Sequence, residues 1–240
     1  MDVSKRQFLS KLTGLTAGAS LIPVTELHAA PVAGTAGKRY GMVIDLRKCI
    51  GCQACTVSCS MENLPPIGQF RTTVQQYEVE MEATQQVTQV MLPRLCNHCE
   101  NPPCVPVCPT QATYQRDDGI VVVDNKQCVG CAYCVQACPY DARFINHDTQ
   151  TADKCTFCVH RLEVGLLPAC VESCVGGARV IGDMKDPDSR ISRLLAAHAA
   201  DLKVLKPEQG TAPQVYYIGL GEEFVNRIDG QPGLWFPDHG

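Results

Sequence analysis

Sixteen of the 240 residues are cysteine, and their spacing is where the chain can do chemistry. They fall without remainder into four groups of four: Cys49, Cys52, Cys55 and Cys59; Cys96, Cys99, Cys104 and Cys108; Cys128, Cys131, Cys134 and Cys138; Cys155, Cys158, Cys170 and Cys174. Every group opens with CxxC and closes with CxxxC, so the sequence carries a fourfold internal repeat. Thiols in such numbers can form disulfides, bind zinc, hold iron–sulfur clusters or stay buried and free. Disulfides give no reason for CxxCxxCxxxC to occur twice. Zinc ribbons use CxxC pairs and would leave the third cysteine of groups one and three without a role. Clusters therefore rank first, zinc second and disulfides third.

The CxxCxxCxxxC spacing supplies, in bacterial ferredoxins, three thiolates to one [4Fe–4S] cubane and a fourth to its neighbour. Steps of three residues let a tight loop aim successive sulfurs at successive irons. The last cysteine, one helical turn further, is expected to project the other way. Groups two and four loosen one interval, to CxxCxxxxCxxxC and CxxCx11CxxxC. Pro109 and Pro139 follow Cys108 and Cys138 as in the ferredoxin motif, whereas Ser60 and Val175 follow Cys59 and Cys174.

Short elements must position these groups. Residues 40–46 and 119–124 read as strands entering a cysteine loop, the second after a turn at Asp117, Asp118 and Gly119. Residues 73–81 and 87–92 suggest a hairpin inserted at about 65–94, and residues 131–138 a short helix. The expected class is α+β: tandem ferredoxin-like halves over 39–182, groups two and three paired inside, groups one and four across the outside. An irregular C-terminal extension is expected over 183–240. In it Asp188 is expected to cap a helix from Ser189 to about Ala200, whose face of Ile191, Leu194, Leu195 and Leu202 docks on the chain's own core.

A basic residue precedes each group: Lys48, Arg94, Lys126 and Lys154. A cubane with four thiolates is anionic, so a nearby cation would raise its potential, and a solvated surface charge is the equal alternative. His98 and His160, set among the ligands, could donate to sulfur but are expected to pack around the clusters rather than bind iron. Tyr133, Tyr140, Phe144 and Phe157 are expected to screen clusters from water.

Composition agrees. The apolar share is 45%, and without cysteine it falls to about 38%, below the roughly 45–50% usual for globular domains. Bound cofactors would replace the missing hydrophobic mass. The net charge of −4, with no long run of one sign, argues against a nucleic-acid partner. No nucleophile elbow, phosphate loop or dinucleotide fingerprint occurs, so no catalytic residue is expected. Residues 1–38 stand apart: Lys5 and Arg6 precede Phe8 and Leu9, then Leu12 to Thr25 is uncharged and rich in Gly, Ala and Thr. Fourteen such residues are too few to span a bilayer, which takes ~20, so the segment reads as an export signal and no membrane anchor is expected.

The segments KCIGCQACTVSC, LPRLCNHCENPPCVPVCP, QCVGCAYCVQACPYDARF and DKCTFCVHRLEVGLLPACVESCVGGA span most of residues 40–180. They resemble the four-cluster electron-transfer subunits of the molybdopterin dimethyl-sulfoxide-reductase family. The SKRQFL leader, the segment VDNKQCVGCAYCVQACPYDARFINHDTQTADKCTFC and the tail segment KVLKPEQGTAPQVYYIGL make the resemblance strongest to the branch serving tetrathionate reductases. Polysulfide, nitrite and arsenate systems are the alternatives. The resemblance implies four [4Fe–4S] clusters: Cys49, Cys52, Cys55 with Cys174; Cys59 with Cys155, Cys158, Cys170; Cys96, Cys99, Cys104 with Cys138; and Cys108 with Cys128, Cys131, Cys134. It implies a molybdopterin catalytic subunit and a quinol-oxidising integral membrane subunit as partners, on the periplasmic side of the bacterial inner membrane. SKRQFL resembles the twin-arginine translocation consensus with Lys5 replacing its first arginine, which implies the twin-arginine translocase as the exporter. A free polyferredoxin shuttle needs neither partner nor leader. A zinc-binding interaction module would be redox-silent.

Overall fold

All six residues of the first strand are buried, which demands cover on both of its faces. The computed structural model describes residues 37–81 and 86–221. The expected leader, the tip of the expected hairpin and the GQPGLWFPDHG tail lie outside the described residues. In chain order the elements are β1 (Tyr40–Asp45), α1 (Ala54–Asn63), β2 (Thr72–Met81), β3 (Gln86–Leu95), β4 (Thr113–Gln115), β5 (Val121–Val123), α2 (Tyr133–Gln136), β6 (Arg143–Ile145), β7 (Ala152–Lys154), α3 (Val159–Leu162), α4 (Ala169–Glu172), β8 (Arg179–Asp183), α5 (Arg190–Ala197), β9 (Leu202–Lys203) and β10 (Val215–Ile218).

The largest sheet has the order β8-β1-β10-β9. β8 runs antiparallel to β1, Met42 opposite Ile181, while β10 lies parallel on the other side, Met42 beside Val215. Strand side chains alternate between faces. Tyr40, Met42 and Ile44 accordingly join a core with Val74, Leu92, Leu95 and Tyr217, while Val43 joins Val180, Ile191 and Ile218 on the opposite face. Residues 183–221 are thus not an irregular extension, because two of the four strands and α5 come from them.

Ser189, rather than Asp188, caps α5: its Oγ accepts the Ser192 N–H at 3.1 Å, and the helix ends at Ala197. Its face docks on the chain's own sheet as expected. Ile191 is fully buried, and a Cβ on Gly182 would lie 2.9 Å from its Cγ2, so only glycine admits the helix this close. Truncation of a buried isoleucine loses both its burial and its packing. Ile191→Ala is expected to cost about 2–5 kcal/mol, read as a lowered unfolding midpoint, with exposed Arg193→Ala within about 0.5 kcal/mol of wild type.

The long hairpin is present as β2 and β3, paired from Thr72 with Leu95 to Met81 with Gln86. Pro93 is tolerated because a two-stranded ribbon has only edge strands. The hairpin base is locked inward, with Tyr217 Oη donating to the Pro93 carbonyl at 2.9 Å. Two smaller hairpins, β4–β5 and β6–β7, carry the middle of the chain. The first turns at Gly119 (φ +82), whose N–H donates to the Arg116 carbonyl, as the Asp-Asp-Gly run predicts.

Candidate metal centres

Groups one and three are built alike. Gly51 and Gln53 adopt left-handed backbones, φ 70 and 60, and at the same offsets so do Gly130 and Ala132, φ 68 and 62. Two such residues curl each CxxCxxC loop before α1 or α2 begins. At Gly130 a side chain is excluded sterically as well, since a Cβ would lie 2.3 Å from the Gln150 carbonyl oxygen. Cys55 and Cys59, four apart on α1 and both buried, share one face of the helix. The fourth cysteine therefore does not project the other way. It is displaced about 6 Å along the axis, which sets neighbouring centres side by side.

Two cavities gather cysteines from opposite ends of the chain. One is lined by Cys49, Cys52, Cys55 and Cys174. The second is lined by Cys59, Cys155, Cys158 and Cys170. Cys96, Cys104 and Cys138 are the electrostatic neighbours of Cys99. The remaining four are more open: Cys134 is buried beside Cys104, Cys108 and Cys128 are half-buried, and Cys131 is exposed. Among the described residues no three His, Cys, Asp or Glu side chains converge closely enough to hold a single metal ion.

The thiols also fit a cationic group. Burial pushes Cys59 and Cys99 up to about 12 and Cys155 well above the usual thiol range. Such thiols give up their protons only to a positive charge, which iron supplies. At Cys108 burial also works upward, but N–H donors led by Thr113 outweigh it and lower the pKa.

Comparison with known proteins now decides the family. Residues 48–112 and residues 87–184 each match a family described as the 4Fe-4S dicluster domain. A tetrathionate reductase subunit of Salmonella typhimurium is 68% identical over 98% of this chain and 96% of its own. A putative dimethyl sulfoxide reductase iron-sulfur subunit of Halobacterium salinarum is 42% identical, covering 75% of this chain and 78% of its own. A polysulfide reductase chain of Wolinella succinogenes is also 42% identical, over 75% and 94%. This protein belongs to that family of iron–sulfur reductase subunits. It carries four [4Fe–4S] clusters in two dicluster stretches and serves as a non-catalytic electron-transfer subunit.

Each bound cluster takes up and releases electrons, and the residues of this iron–sulfur subunit set the surroundings in which that happens. Backbone N–H groups point at sulfur: Thr113 at Cys108 (3.4 Å), Ala152 at Cys128 (3.3 Å), Phe157 at Cys155 (3.4 Å) and Ala178 at Cys174 (3.2 Å). Asn63 Nδ2 donates toward Cys59 Sγ at 3.5 Å and Cys158 Sγ at 3.7 Å. Arg71 orients that amide by donating to its Oδ1 at 2.8 Å, and is itself ion-paired with Asp153.

The four basic residues that precede the groups divide. Lys48 is half exposed and paired with Asp45, and Lys126 is exposed, so both are surface charges. Arg94 and Lys154 are buried. A unit charge about 4 Å away contributes about 1 kcal/mol in water but about 4 kcal/mol at the effective dielectric of a protein, so a buried cation beside cysteines, as Lys154 is, outweighs a surface one. Lys154 donates its Nζ protons to the Val121 and Cys155 carbonyls. Arg94 donates to the Tyr140 carbonyl at 2.9 Å.

Among the described residues no hydrogen bond joins either histidine to a cysteine sulfur, and His98 Nε2 is buried without a protein partner. His98 is buried, stacks on Phe157 with centroids 3.8 Å apart, and accepts the Val121 N–H on Nδ1 at 3.1 Å. Burial, helped by nearby cations, holds its pKa well below the usual value. His160 is bonded to Glu62 at the surface. Tyr140 and Phe157 are buried as screens should be, but Tyr133 is 57% exposed and screens little. Sequence reasoning missed Asn63, Arg71, Arg143 and Arg179. The signal for the last two was there: each stands five residues beyond the final cysteine of its group.

Proposed function

We propose that this subunit wires a quinol-oxidising membrane subunit to a molybdopterin catalytic subunit that reduces tetrathionate. Cys49, Cys52, Cys55 and Cys174 hold cluster 1; Cys59, Cys155, Cys158 and Cys170 cluster 2; Cys96, Cys99, Cys104 and Cys138 cluster 3; Cys108, Cys128, Cys131 and Cys134 cluster 4. One observation carries the reading: the electrostatic neighbours of the cysteines support a row of centres with two open ends. Cys170 has Cys55 as an electrostatic neighbour, Cys155 has Cys96, and Arg143 has both Cys104 and Cys134. That gives the order 1, 2, 3, 4. The two exposed cysteines, Cys52 and Cys131, belong to the end centres and sit beside exposed Ile50 and Val129. A wire needs such ends for its donor and acceptor.

The 68% identity to a tetrathionate reductase subunit supports that substrate. Among the described residues no helix is long and apolar enough to cross a membrane. Anaerobic isolation is expected to yield about 16 Fe per chain and EPR signals of four reducible [4Fe–4S] clusters. Zinc in place of iron would overturn the proposal. The leader is read as a twin-arginine signal that places the folded, loaded subunit on the periplasmic side. Changing both Lys5 and Arg6 to Gln is expected to leave the loaded protein in the cytoplasm, measured by cell fractionation; export at the wild-type level would refute the signal.

A further inference from the structure

Three cations are sealed inside the protein among the cysteines: Arg179, Lys154 and Arg143, at 2%, 1% and 4% exposure. Arg179 lines the cavity of Cys49, Cys52, Cys55 and Cys174, and its electrostatic neighbours include Cys55 on that side and Cys170 and Cys155 on the next. Lys154 donates to the Cys155 carbonyl, and its electrostatic neighbours are Cys96, Arg143, Cys155 and Cys104. Arg143 donates from Nη2 to Cys104 Sγ at 3.0 Å and has Cys134 as a further neighbour. Each junction between consecutive centres thus contains one buried positive charge.

The two arginines are also built to the same plan. Each opens a strand five residues after a group's last cysteine, β6 after Cys138 and β8 after Cys174. Each anchors one nitrogen on a buried threonine hydroxyl: Arg143 Nη1 donates to Thr113 Oγ1 at 3.2 Å, and Arg179 Nη2 to Thr72 Oγ1 at 2.9 Å. Each keeps one buried N–H without a protein acceptor, Nε in Arg143 and Nη1 in Arg179. An unpaired buried donor is costly, and the acceptors that the family's chemistry brings to these junctions are cluster sulfurs.

We propose that Arg179, Lys154 and Arg143 are potential-setting residues, one fixed cation at each of the three junctions, each holding up the reduction potentials of the two clusters that flank it. The proposal rests on the ligand sets given under Proposed function. Burying an anionic cluster disfavours its more negative, reduced form, and a cation kept out of water beside it offsets this far more than a surface lysine can. One electron leaving the reduced cluster on one side reduces the oxidised cluster on the other. At the two arginine junctions the guanidinium keeps its charge throughout, so no proton accompanies the step.

The test is an EPR-monitored redox titration of the full, anaerobically purified chain. Arg179→Gln is expected to lower the potentials of clusters 1 and 2, Lys154→Met those of clusters 2 and 3, and Arg143→Gln those of clusters 3 and 4. Each shift is expected to reach at least tenfold in the reduction constant, about 59 mV for one electron. Arg179→Lys, Lys154→Arg and Arg143→Lys are expected to stay near wild type, as is the surface change Lys126→Gln. If a neutral variant loses iron while its charge-keeping partner assembles, the charge is still identified as the cause. Loss of iron in both, unmoved potentials in the neutral variants, or a uniform shift of all four clusters would overturn the proposal. Wrong ligand sets would instead appear as mismatched cluster losses in Cys→Ser variants of the otherwise wild-type chain, independently of these potentials.

Discussion

Cys174→Ser is expected to abolish or transform the cluster held by Cys49, Cys52 and Cys55, far away in sequence, and to leave the centre of Cys155, Cys158 and Cys170 intact. The cavity shared by these residues is the reason: Cys174 lines it together with all three cysteines of the first loop. Its position is held from both sides. The Ala178 N–H donates to its sulfur, and Gly176 packs so tightly on the Lys48 carbonyl that a Cβ there would lie 2.2 Å from the oxygen. Serine is a poorer ligand for iron than thiolate and reaches less far, so iron content should fall by up to about 4 Fe per chain, on four irons per cluster. Cys170→Ser provides the contrast, because Cys170 lines the neighbouring cavity. EPR of the two variants should lose different signals. The same signal lost in both would show that the exchange between groups one and four has been misassigned.

The second large effect concerns the assembled reductase. Deleting this chain is expected to bring quinol-coupled tetrathionate reduction to background, while activity of the catalytic subunit with an artificial dye donor stays within the same order of magnitude. The dye delivers electrons directly, whereas on the proposed wiring quinol has no route except through the centres of this chain. Persistence of quinol-coupled reduction would refute the wiring role. Loss of polysulfide or arsenate reduction with tetrathionate reduction untouched would keep the role and replace the substrate.

Much of this was legible in advance where the information is local. The cysteine repeat, the strands entering the first and third cysteine loops, the Asp-Asp-Gly turn and the long hairpin are all dictated by neighbours in sequence, and they lie where the pattern puts them. The C-terminal region was misjudged because Val215 to Ile218 acquires its role only by lying parallel to β1, a pairing that no nearby residue announces. The cap of α5 was misplaced by one residue because Asp188 and Ser189 are both good caps, and only the backbone decides between them. At the centres, the cysteines could be read from spacing, but Lys48 and Lys154 could not be told apart. Both immediately precede a CxxC; one lies in solvent and the other is sealed beneath Val121, a difference made entirely by tertiary packing.

The placement of β1 between β8 and β10 has a consequence in time. A ribosome adds about 5–20 residues per second, so about 6–24 s separate the emergence of Cys55 from that of Cys174, and β1 waits longer still for Val215 to Ile218. On the proposed ligand sets, the two centres built from Cys96 to Cys138 need only that stretch and can close while the first loop still lacks its fourth thiol. On those sets biogenesis is expected to run from the middle of the chain outward. Its earliest residues finish last, and a nascent chain released before residue 218 would hold an incomplete sheet around a completed interior.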